Sequence, residues 1–164
     1  MTRRIALDDP GAPDVRALLE AHLALMRSIS PPGSVHALEV DRLRAPGIEF
    51  YSMRDDGQLV GVGALKALDA AHGEIKSMHT AATARRTGAG GEMLEHLLRR
   101  ARERGFTRVS LETGSPADFA APQALYRKRG FRDCGPFADY TADAFSLFLT
   151  IDLHDGLDSA PAAP

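Results

Sequence analysis

The chain has 164 residues, a formal net charge of −2, 44% hydrophobic and 26% charged residues, and one cysteine. That is the size and balance of one globular domain with a proper core, and the charge gives no global field to recruit nucleic acid or an anionic membrane. No stretch approaches the roughly 20 apolar residues of a membrane span, and one cysteine makes no intramolecular disulfide, which points to a reducing, cytoplasmic setting.

Arg3–Leu7 reads as a first strand, and no apolar run follows its basic residues, so no signal peptide is expected. From Pro13, the positions Val15, Leu18, Leu19, Leu23 and Met26 recur at helical spacing until Ser30-Pro31-Pro32-Gly33 breaks the run. Ser34 suits the cap of a second helix, Val35–Arg44. Ile48–Met53 and Gln58–Leu68 are predicted strands joined by the hairpin turn Asp55-Asp56-Gly57. The nearly all-apolar Leu59–Leu65 implies a central strand covered on both faces, with Gly61 and Gly63 leaving room for a helix or a ligand. Glu74–Thr80 returns antiparallel.

A long helix over Gly90–Arg104 should bury Met93, Leu94, Leu97, Leu98 and Ala101, pair Glu95 with Arg99 outside, and end at Gly105. Thr107–Thr113 follows as a strand parallel to the one before the helix. Ser115–Asp118 suggests a short turn, Pro122–Arg129 a helix closed by Gly130, and Phe131–Phe137 and Ala144–Leu153 the last strands. One α/β domain is expected over residues 1–154, with a flexible tail at 155–164.

The chemistry concentrates in the stretch His79–Gly91. Arg85 and Arg86 precede Thr87-Gly88-Ala89-Gly90-Gly91, where glycines let the backbone turn tightly and approach a ligand. The helix that follows offers unpaired amides at the positive end of its dipole, a cradle for a phosphate or diphosphate. A nucleoside-triphosphate loop needs Gly-Lys, which the chain lacks, and a dinucleotide fingerprint needs a third glycine where Met93 stands.

The pattern Arg-x-x-Gly-x-Gly (Arg85, Gly88, Gly90) resembles the acetyl-CoA loop of the GNAT superfamily of N-acetyltransferases. Leu125-Tyr126-Arg127-Lys128-Arg129-Gly130-Phe131 resembles that family's Leu-Tyr-x-x-x-Gly-Phe segment, about 40 residues later and in the right order. Ser30–His36 resembles a segment of its bacterial small-molecule branch. The chain departs from the family at Phe119, where an Asn is common, and at Pro122, where a small helical residue is usual.

The resemblance implies a mixed, mostly antiparallel sheet whose central parallel strand pair splays apart, flanked by helices. It implies that acetyl-CoA is the donor, with no metal, and that an amine attacks the thioester directly. A bulge in the fourth strand would aim the Met78 or His79 amide at the thioester oxygen, while Met78 and Thr80 pair with the pantetheine. Tyr126 matches the family's general acid for the departing thiolate. Base candidates are Glu74 and His79, with His36 and His22 from the first helices. The acceptor end would take His22, Met26, Arg27 and His36, with Phe137 and Tyr140 from the last strands, and would suit a small amine. A protein N-terminus or lysine as acceptor, a non-catalytic acyl-CoA-binding module and a homodimer all remain open at this level. The histidines show no metal-ligand spacing, and Cys134 lacks nucleophile partners.

Overall fold

The computed structural model describes residues 3–29, 40–114, 120–142 and 144–153. In chain order these form β1 (Arg3–Leu7), α1 (Pro13–Ile29), a 3-10 turn (Val40–Arg44), β2 (Ile48–Asp55), β3 (Gln58–Ala67), β4 (His72–Thr80), α2 (Ala89–Glu103), β5 (Arg108–Gly114), α3 (Ala120–Arg129), β6 (Arg132–Asp133) and β7 (Ser146–Asp152). The strands build one sheet in the order β1-β2-β3-β4-β5-β7-β6, antiparallel except for β4 and β5. This is the mixed sheet with a parallel central pair that the family resemblance implies.

β3 is central because it is apolar on both sides. Val62 and Ala64 pack with Val15 and Leu19 of α1 and with Leu43, while the opposite face meets α2. Gly63 serves that second contact: a Cβ there would lie 3.0–3.1 Å from atoms of Met93 and Leu97, so its missing side chain admits the helix rather than a ligand. The turn into β3 uses Asp56 and Gly57 at φ 50° and 88°, the positive pair a tight hairpin demands. α2 buries Met93, Leu94, Leu97, Leu98 and Ala101, as its spacing predicts. It closes through Gly105 (φ 86°), with Phe106 N–H bonding the Ala101 carbonyl and Gly105 N–H that of Arg102.

Three expectations change. The strand expected over Phe131–Phe137 shrinks to Arg132–Asp133, because Gly135-Pro136 cannot sustain a ladder and the chain leaves to cross the sheet. The last helix starts at Ala120, leaving Pro122 in its first turn, where a missing N–H costs little. Glu95 reaches across to Arg129 of α3 instead of Arg99, which meets His96 Nδ1 at 3.1 Å. The expected helix over Val35–Arg44 is described only from Val40, and Ser115–Asp118, Phe119 and the tail lie outside the described residues.

Candidate active site

The loop between β4 and α2 turns on two positive-φ residues, Arg86 (φ 64°) and Gly88 (φ 87°). Gly88 caps α2 without any side-chain hydrogen bond, and the Glu92 amide is the one that returns to its carbonyl, at 3.1 Å. The Thr87 hydroxyl donates to the Ala84 carbonyl and braces the turn. Arg85, Arg86, Thr87 and Gly88 are exposed, whereas Ala89 is buried and anchors the helix start. A Cβ on Gly90 would stand 3.4 Å from Leu125 of α3 and 3.5 Å from the Thr80 hydroxyl of β4. The loop, β4 and α3 thus converge on the backbone of Gly90 and Gly91. Exposed guanidinium groups beside an uncapped helix start suit a phosphate or diphosphate.

Sequence reasoning missed Arg3. Its guanidinium pairs with Glu92 at 2.7 Å and lies 4.0 Å from a Cβ position on Gly88, so β1 brings a further cation to the loop. Only the fold brings residue 3 beside residue 88. A groove of about 700 Å³ runs from here along Ile5, Gly91, Leu125, Lys128 and Arg129. Within its basic run, Arg127 is held by Asp133 and Arg129 by Glu95, while Lys128 remains on the groove wall.

The fork opens along the second half of β4, the half that leads into this loop. β4 and β5 pair from His72↔Arg108 to Ile75↔Leu111, and among the described residues no pair continues beyond. The cause lies on the neighbouring edge of β4. Val62 pairs with His79 and Ala64 with Lys76, so Ser77 and Met78 together oppose Gly63, and Ser77 sits at φ 55°. This is a bulge, which bends the strand and turns it away from β5. It also shifts the side-chain alternation. Met78 packs against the α2 side of the core, while His79 faces α1.

Tyr126 is buried on α3, edge-on to Phe131 at 5.7 Å. Burial, and then the negative charge of Glu112, push its phenol well above the usual value, so it carries its proton. Glu112 is the first β5 residue past the last pair with β4, and sequence reasoning passed over it as part of a strand.

On the α1 face, the His79 ring stacks on His22 with centroids 4.3 Å apart. Burial lowers the His22 pKa to about 4, and burial with the charges of His22 and Arg85 lowers that of His79 to about 3. Both are neutral near pH 7. Glu74 is fully buried, its carboxylate accepting from Lys76 Nζ at 2.9 Å and from the Tyr140 hydroxyl at 2.7 Å. Met26 and Arg27 lie on the last turn of α1, but their side chains, like all of His36, fall outside the described residues.

The model of the Acetyltransferase (GNAT) family matches residues 15–131, and the chain belongs to this family. It is 48% identical to the uncharacterized N-acetyltransferase YedL of Escherichia coli K12, over 91% of this chain and 94% of that one. It is 38% identical to an IAA acetyltransferase of Azospirillum brasilense, over 88% of this chain and 94% of the relative. In fold it resembles a GNAT family acetyltransferase from Elizabethkingia anophelis with acetyl-CoA bound, with a TM-score of 0.69 over 92% of this chain and 98% of that one, at 20% identity. The chain is an acetyl-CoA-dependent N-acetyltransferase of this family.

Proposed function

We propose that this enzyme moves the acetyl group of acetyl-CoA to the amine of a small molecule by direct attack, with Tyr126 as general acid. The fork carries this reading: β4 and β5 part after Ile75 and Leu111, with the phenol-bearing α3 on one face and His22, His79 and Tyr140 on the other. The relative named an IAA acetyltransferase favours a small acceptor over a protein one.

Bound acetyl-CoA supplies an activated acyl group. The Gly88–Gly91 amides, with Arg85, Arg86, Thr87 and Arg3, hold its diphosphate, and Met78 and Thr80 line its pantetheine. The Met78 or His79 amide, freed by the bulge, stabilises negative charge on the carbonyl oxygen. Tyr126 gives its proton to the departing sulfur. Burial raises thiol and phenol alike, so their gap, modest in water, governs the ease of transfer.

Glu112, at the mouth of the fork, takes the amine's proton, directly or through water. His79, depressed to about 3, and Glu74, held by Lys76 and Tyr140, suit that part poorly. His22 and His79, with Met26, Arg27 and His36, border the acceptor. The test is thiol release from acetyl-CoA against amines, amino acids and N-terminal peptides, with thermal shifts in parallel. Turnover with a small amine, and stabilisation by acetyl-CoA but not ATP or NAD, is expected. Turnover restricted to peptides would overturn the choice of acceptor.

A further inference from the structure

The loop after β6 folds back over the sheet and delivers Tyr140 to the fork. The Tyr140 hydroxyl accepts from Lys76 Nζ at 2.7 Å and donates to Glu74 Oε2 at 2.7 Å, while Lys76 itself reaches Glu74 at 2.9 Å. The three groups form a closed triangle, and the side chains of Lys76 and Glu74 are only 8% and 2% exposed. The Tyr140 ring is fastened separately, 5.2 Å from Phe137 and 5.6 Å from Phe148. Phe148 of β7 is the register partner of Glu112, just past the split. One residue therefore holds β4 by its polar end and β7 by its apolar end, with β5 between them. Its hold on β4 is at Lys76, the residue immediately before the bulge.

We propose that Tyr140 is a positioning residue for acetyl transfer: it clasps the diverging strands from the acceptor face and fixes the width of the fork. A buried ion pair needs further hydrogen bonds to be held in one geometry, and the phenol supplies one to each partner. The amides that follow Lys76 then occupy a set position relative to β5. The inference rests on the fork being the site of acetyl transfer, as proposed above. A displacement near 1 Å in such a site costs about 100-fold in rate, so small loosening is visible in turnover.

Tyr140→Phe keeps the ring and removes the hydroxyl. Turnover with the best amine is expected to fall by about tenfold or more, while the KM for acetyl-CoA and its thermal shift stay at wild-type values. Amide hydrogen exchange at residues 76–80 and 112–114 should accelerate by about tenfold against unchanged exchange in α2. The double variant Glu74→Gln, Lys76→Met removes both buried charges together and leaves an amide oxygen for the phenol. It also breaks the hold at Lys76, so turnover should fall about as far as in Tyr140→Phe, and adding Tyr140→Phe should lower it little further. Wild-type exchange at the fork in Tyr140→Phe overturns the clasp, whatever the enzyme's activity. So does wild-type turnover in that variant. Failure of acetyl-CoA to stabilise the wild-type protein instead overturns the functional reading, while exchange still reads the clasp.

Discussion

His79 on β4 and His22 on α1 hold their rings 4.3 Å apart at a tilt of 35°, and the buried His22 Nδ1 has no hydrogen-bond partner among the described residues. Two half-buried imidazoles at this distance favour the neutral state, since the first proton taken up opposes the second. Arg85 adds to the effect on His79.

This pair should make stability pH-dependent. The unfolded histidines take up protons below about 6.5, the folded ones only near 4 and 3. The unfolded state binds more protons in between, so stability rises with pH there. The contribution is complete above 6.5 and is lost as pH falls towards 3, amounting to a few kcal/mol by about pH 5. Replacing both residues by Phe should shrink the drop in Tm between pH 7 and pH 5, as read by calorimetry. An unchanged drop would count against the pair.

Tyr126→Phe should lower kcat by about 10²–10⁴ if the phenol protonates the sulfur, and leave acetyl-CoA affinity near normal. Turnover and calorimetric Kd, measured together, check this. The deleted hydroxyl belongs to a ring that packs on Phe131, so the fold should persist.

Gly88→Ala places a side chain at φ 87°, a conformation costing L residues about 1 kcal/mol, or a Tm loss of about 2–4 °C. The KM for acetyl-CoA should rise several-fold while kcat at saturation changes little, since the reacting atoms are remote from this turn. Saturation kinetics in both substrates separate the two effects.

Ser77 occupies φ 55° at the bulge. Ser77→Gly should raise Tm by a few degrees, and Ser77→Val should lower it by more, because a β-branched residue tolerates that region least. If the bulge also orients the oxygen-binding amide, Ser77→Val should lower kcat beyond what its stability explains.

Much of this was legible in the sequence. The face of α2, the apolar β3, the hairpin at Asp55-Asp56-Gly57 and the glycine-rich helix start are local patterns, and local geometry answers to local residues. Contacts between distant residues were not legible. Arg3 reaches Gly88, Tyr140 reaches Glu74 and Lys76, and Glu95 prefers Arg129 to Arg99, because sheet order rather than sequence distance makes them neighbours. Lys76 lies unmarked inside the predicted strand Glu74–Thr80, and neither the bulge nor Glu112's place at the fork leaves a compositional trace.

The single extra residue at Ser77 has a wider consequence. Along β4, His72, Glu74 and Lys76 share a face with His79, so odd and even exchange meaning midway through one strand. A homologous chain of equal length that kept β4 regular there would turn its imidazole towards α2 and its thioether towards α1. Which side of the sheet a side chain meets is thus decided by counting, before any question of its chemistry arises.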